Sequence, residues 1–171
     1  MDKKTSSKYR GEVIDKFVNI ESLINAIISQ HYFKEVKGSF LLEVLYDEYF
    51  TFGLRRRILT KIIPDFDDKI IQDLNRLNTI RNYFVHCGPE FVTASQKVGR
   101  KRVVPDPRKR SLEPGIDFEK LYQEFFAKWE GVQEYLLKVF VDLGGVPRDN
   151  GSLKVTFVGR RGRPQRSSDN N

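Results

Sequence analysis

Arg81 and His86 are the two residues of this chain whose types and spacing ask for a chemical explanation. They lie in the run IRNYFVHCGP at residues 80–89. An imidazole exchanges a proton near neutral pH, and a guanidinium presents a rigid fork of donors suited to a carboxylate or a phosphate. Gly88 and Pro89 are the usual punctuation just past a helix C-terminus, so the run reads as the end of an amphipathic helix. At about 100° per residue, Ile70, Leu74, Leu77, Ile80, Phe84 and Val85 fall within one apolar arc, with Arg81 near its middle. Asn75, Asn78, Asn82 and His86 form a strip along one flank. Asn82 precedes His86 by four residues, so its amide can neighbour the imidazole and fix the tautomer. Arg81 stands about 140° away from His86 around the same helix. The two can border one groove if a partner surface closes it.

Each residue also has a plain structural reading. A buried guanidinium is costly unless an acceptor meets its donors. Glu21 falls inside the apolar arc of an earlier helical segment, flanked by Ile14, Phe17, Ile24 and Ile28, with Asn25 one turn on. Two misplaced charges on two apolar stripes could form one structural ion pair, Glu21 with Arg81. The alternative keeps the pair but opens Arg81 toward a cleft where it meets a phosphate. His86, in the last turn of its helix, could simply complement the helix dipole.

Four helical segments are expected to position these residues. The first runs roughly over 9–32, with Val13, Phe17, Ile20, Ile24, Ile27 and Ile28 on one face. The second begins near Ser39, carries Leu42, Leu45, Tyr46 and Tyr49, and continues through Leu54, Ile58, Leu59 and Ile62 to Pro64. Gly53 is a candidate interruption, because glycine is costly inside a helix. Asp65, Asp67 and Asp68 favour the start of the third segment, which ends at Cys87. Asp117 is a good N-cap for the fourth, and Ile116 with Leu121 are spaced as a hydrophobic staple. Phe118, Leu121, Phe125, Trp129, Val132, Leu136, Val139 and Phe140 then trace an apolar stripe that Gly144 and Gly145 stop. Such stripes must bury one another, so the expected fold is all-α: an antiparallel bundle of four to five helices over residues 1–143.

The charge is unevenly placed. The net +7 resides in residues 88–116, with seven Lys/Arg against three acids, and in residues 144–171, with six against two. The rest has 17 basic and 18 acidic residues. Lys97, Arg100, Lys101, Arg102, Arg108, Lys109 and Arg110 make the connection between the third and fourth helices a candidate polyanion-binding segment. EFVTA and LKVTFVG have strand-like composition, which leaves room for a small β element joining this insertion to the basic tail at 144–171. The last residues, GRRGRPQRSSDNN, have the composition of a disordered segment. No signal-peptide pattern or membrane-length apolar run is present, and the single cysteine fits a reducing, cytoplasmic setting. One Cys and two His give no metal-ligand spacing, and no glycine-rich phosphate loop occurs.

The run from Arg81 to His86 resembles the arginine, polar residue, short gap, histidine motif of the HEPN superfamily (higher eukaryotes and prokaryotes nucleotide-binding). DLNRLNTIRNYFVH, FVNIESLINAII and TFGLRRRIL agree with it, so the resemblance covers roughly residues 9–87 and 117–143. It implies a helical bundle that dimerises so that two third helices enclose a shared cleft. It further implies a ribonuclease without metal or other cofactor, of the kind found in toxin–antitoxin, phage-defence or RNA-processing systems. Arg81 and His86 would then be the catalytic pair, and Asn82 the polar position between them. Other relatives are non-catalytic binding or regulatory modules, among them proteins similar to the mannitol operon repressor. The long basic insertion departs from the compact pattern.

RNA carries its own nucleophile, the 2′-hydroxyl, so its cleavage needs only a proton-exchanging group and a cation for the developing charge. His86 and Arg81 have those properties, with Asn82 to orient and Glu21 behind Arg81. The expected partners are RNA, a second copy of the chain bringing a second His86, and an antitoxin or regulatory protein. The alternative is a non-catalytic module that binds nucleic acid or protein through the basic segments.

Overall fold

The computed structural model describes residues 3–86, 96–98, 101–103 and 117–147. Helix α1 (Lys3–Phe33) is the longest element. Val13, Phe17, Ile20, Ile24, Ile27 and Ile28 are all buried, as their spacing requires, and burial becomes continuous from Leu23 to Gln30. That continuity marks α1 as the central helix, enclosed by the three other long helices. Its C-terminal turn is closed by Ser29, whose hydroxyl donates to Glu35 O (3.0 Å) and accepts from Lys37 N (2.9 Å).

The expected second helix is two. Helix α2 (Gly38–Phe40) runs into a π-helical turn (Leu41–Leu45) in which Tyr46 N donates to Leu41 O. Helix α3 (Phe52–Ile62) starts afresh, with Thr51 Oγ1 accepting from Leu54 N at 3.3 Å. The break therefore falls before Gly53, which sits in the first turn of α3, where a glycine is easily accommodated. The π turn adds a residue and rotates the following face. For this reason Leu41 and Leu45 are buried, whereas Leu42, Tyr46 and Tyr49 face solvent instead of joining the core.

Helix α4 (Asp68–His86) starts at the acid-rich run, with Asp67 Oδ1 accepting from Lys69 N at 2.7 Å. Helix α5 (Phe118–Asp142) is capped by Asp117, which accepts from Lys120 N at 3.1 Å. Its end is set by Gly144, at φ +86°, and by Gly145, where any Cβ would collide with the Phe140 ring. Ile116, Cys87, EFVTA, LKVTFVG and the tail beyond residue 147 lie outside the described residues. Between α4 and α5, strands β1 (Gln96–Val98) and β2 (Lys101–Val103) pair antiparallel, with Lys97 opposite Arg102. That pairing is local to the insertion.

The contacts fix the helix directions. Tyr9 stacks on Tyr122, Trp129 Nε1 donates to Lys16 O (3.2 Å), and Gln30 Nε2 donates to Leu143 O (3.2 Å). All three pairs are 113 residues apart, so α1 and α5 run parallel in one register. The contacts recur at multiples of seven residues, the spacing that keeps two helical seams facing each other. Helix α4 runs antiparallel to both: Phe84 meets Phe118 and Arg76 meets Glu124 along α5, while Arg81 and Val85 meet Phe17 and Arg10 along α1. Leu74, Leu77, Ile80 and Phe84 thus reach the core, and the C-terminal end of α4 lies beside the early turns of α1. The result is an all-α helical bundle, and none of its described helices is long and apolar enough to cross a membrane.

Arg76 binds Glu124 through two bonds, Nε to Oε1 at 2.7 Å and Nη2 to Oε2 at 2.6 Å. The hydrogen bond from Arg76 holds the Glu124 carboxyl below its ordinary value. A depressed folded-state pKa contributes stability above the unfolded value that is lost as pH falls through the folded one. The stability gap between the wild type and Glu124→Gln is expected to be widest near neutrality and to shrink below about pH 4, the ordinary carboxylate range. Urea titrations at several pH values measure it.

Candidate functional site

Arg81 projects from α4 toward α1. Its Nη1 donates to Asn82 Oδ1 at 2.8 Å, and its guanidinium carbon lies 4.8 Å from the Phe17 ring centroid. The Glu21 carboxylate stands 3.9 Å from Nη2, at the outer limit of an ion pair, and 28% of the Arg81 side chain remains exposed. The expected pairing of Glu21 with Arg81 is therefore only marginal.

A different arginine takes the carboxylate. Arg55 Nη1 donates to Glu21 Oε1 at 3.1 Å, with side-chain exposures of 9% and 17%. Its Nη2 donates to the carbonyl of Leu45, at the end of the π turn. Sequence reasoning missed Arg55, although the signal that singled out Arg81 was present. Phe52, Arg55, Leu59 and Ile62 are the buried stripe of α3, with an arginine among three apolar side chains. Arg55 is buried, whereas its neighbours Arg56 and Arg57 are half-buried and exposed.

One turn beyond Glu21, the Asn25 side chain is fully buried with neither amide atom bonded, and Arg55 Nε is likewise without a partner. The interior between α1 and α3 is thus polar as well as charged. The outer surface there mixes exposed apolar side chains with the exposed acids Glu43, Asp47 and Glu48. Tyr46 OH lies 3.3 Å from Ser22 Oγ, next to Glu21, and Val18, Leu42, Val44, Tyr49 and Leu54 are exposed in the same elements.

His86 is the last residue of α4 and is exposed, while Asn82 is half-buried. The oxygen of Asn82 serves Arg81, so the amide orients the guanidinium; sequence spacing had suggested that it would orient the imidazole. Arg81 and His86 are brought to one end of one helix, with Glu21 behind Arg81. Of the insertion's basic residues, Lys97 lies in β1 and Lys101 and Arg102 in β2, while Arg100, Arg108, Lys109 and Arg110 lie outside the described residues. Among the described residues no three His, Cys, Asp or Glu side chains gather to hold a metal ion.

No protein-family model, curated protein or solved structure matches the chain.

The two arginines should respond differently to replacement. Arg55→Met leaves the nearly buried Glu21 carboxylate without its close partner, and a loss of about 3 kcal/mol or more is expected. Arg81→Met removes a longer, part-exposed contact and should cost about 1 kcal/mol or less. Chemical denaturation of both variants distinguishes the outcomes, and equal losses would return Arg81 to a purely structural role.

Proposed function

We propose that the chain is a dimeric endoribonuclease of the HEPN type that cleaves RNA without a metal ion. The observation that carries this reading is the division of labour between the arginines. Arg55 bonds Glu21 at close range, and Arg81 is left partly exposed, oriented by Asn82 and Phe17, on the same helix end as an exposed histidine. At 3.9 Å from a carboxylate that Arg55 already bonds, Arg81 keeps donors for a further acceptor. A phosphate offers that fork of donors a charged acceptor in a partly desolvated setting.

In the proposed reaction the 2′-oxygen attacks the adjacent phosphorus as His86 removes its proton. The 5′-oxygen leaves with a proton from His86 of the partner subunit, and Arg81 stabilises the charge on the phosphoryl oxygens. The products are a 2′,3′-cyclic phosphate and a 5′-hydroxyl. A second copy is needed because one imidazole cannot be base and acid in the same step. The exposed apolar side chains Leu42, Val44, Tyr46 and Tyr49 offer a surface for that copy. The basic segments 88–116 and 144–171 would hold the RNA backbone, in a cytoplasmic toxin or defence effector controlled by an antitoxin or regulatory protein.

A second reading, a non-catalytic module binding nucleic acid or protein, is favoured by the concentration of positive charge in those two segments. Activity separates the two. His86→Ala should leave melting nearly unchanged, within the ~1 kcal/mol of a helix-end charge, and lower RNA cleavage in EDTA by about a hundredfold or more. A 2′-deoxy residue at the scissile position should block cleavage. A wild type that binds RNA and cuts none of a broad substrate panel, or cuts equally well with alanine at 86, contradicts the enzyme reading.

The tail makes a separate prediction. Removing residues 159–171 should flatten the dependence of RNA affinity on salt, since each released counterion contributes to that slope. Binding measured from low to moderate ionic strength reads this directly, and an unchanged slope would exclude the tail from the interface.

A further inference from the structure

The last turn of a helix is its least constrained part, because its four terminal carbonyls have no intrahelical donor. His86 stands at that position in α4. One of those carbonyls is nonetheless engaged from outside: Arg10 Nη2, from α1, donates to Val85 O at 3.3 Å. Val85 O belongs to the peptide group that joins Val85 to His86, so the bond restrains the backbone that carries the imidazole.

Arg10 is well placed to act as an anchor. Its neighbour Tyr9 stacks on Tyr122 of α5, with ring centroids 4.0 Å apart and planes at 15°, and Tyr122 OH donates to Glu12. Val13, one turn on, is completely buried. The α1 backbone around Arg10 is therefore clamped to α5, while α4 is fastened nearby by Phe84 against Phe118 at 5.1 Å. Among the described residues Arg10 has no acidic partner. The Val85 carbonyl is the acceptor that fixes it.

We propose that Arg10 is a positioning residue for His86, holding the end of α4 so that the imidazole meets the scissile phosphate in one orientation. The proposal rests on the ribonuclease reading for its catalytic consequence, and on the Arg10–Val85 bond for its geometry. Loss of alignment at a reacting group can cost as much as 10²-fold in rate without loss of the fold. A guanidinium that only complemented the helix dipole would alter melting and leave turnover alone.

The test uses the full chain with a fluorogenic RNA substrate. Arg10→Ala is expected to lower kcat about tenfold or more with KM within about twofold, in line with a defect of alignment. Arg10→Lys, which retains a donor able to meet a carbonyl, should recover much of that rate. In a His86→Ala background Arg10→Ala should add no further loss, because its effect runs through the missing imidazole. Only two histidines are present, so proton NMR can follow them separately. Arg10→Ala should shift or broaden the His86 ring signals and leave those of His31 unchanged. If the alanine variant does not fold, Arg10→Gln, too short to reach the carbonyl, takes its place. Unchanged kcat, a loss confined to KM, or additive loss in the double variant overturns the proposal. A wild type without ribonuclease activity overturns the enzyme reading instead, and the NMR comparison then decides whether Arg10 orders His86; unchanged His86 signals overturn the inference.

Discussion

The ion pair between Glu21 and Arg55 is the constraint on which the rest of the arrangement depends. Both residues lie on faces given mainly to hydrocarbon, and neither charge could remain there alone at tolerable cost. Their contact at 3.1 Å joins α3 to the central helix, and the second arm of Arg55 holds the carbonyl that closes the π turn. The turn in turn decides which side chains of residues 41–49 enter the core. Leu41 and Leu45 go in; Leu42, Tyr46 and Tyr49 remain outside, where Tyr46 OH lies 3.3 Å from Ser22 Oγ of α1.

The same pair determines what Arg81 can do. With Glu21 engaged elsewhere, Arg81 is held in place by an amide and an aromatic face and is not neutralised by a close carboxylate. A cation so placed is available to an anion arriving from solvent. The parallel register of α1 and α5, and the opposite direction of α4, bring the end of α4 to the clamped early turns of α1. Fold and site are thus coupled: α1 supplies the carboxylate that frees Arg81 indirectly, the ring beneath it, and the arginine that meets the Val85 carbonyl.

Much of this was legible in the chain. The 3.6-residue spacing of Val13, Phe17, Ile20, Ile24 and Ile27 placed α1, and Asp117 with Gly144 and Gly145 bounded α5, because caps and apolar periodicity are local properties. The misplaced Arg81 and Glu21 were visible for the same reason. The closer partnership of Glu21 with Arg55 was not legible, since a helical wheel locates a charge on a face without saying which of several facing helices will supply its nearest counter-charge. Arg55 shared the stripe of Phe52, Leu59 and Ile62 and was hidden by its neighbours Arg56 and Arg57. The π turn was equally hidden, because it is set by the tertiary bond from Arg55 to Leu45 and has no residue signature of its own. The role of Asn82 changed too: spacing along one helix pointed it at His86, and the rotamer chosen by Arg81 decided otherwise.

Double-mutant cycles among Glu21→Gln, Arg55→Met and Arg81→Met test the division of labour most directly. Coupling in stability between positions 21 and 55 is expected to be about 1.5 kcal/mol or more, and between 21 and 81 about 0.5 kcal/mol or less. A stronger coupling of Glu21 to Arg81 than to Arg55 would contradict the account, for Arg81 would then be the structural partner and no spare cation would stand beside His86.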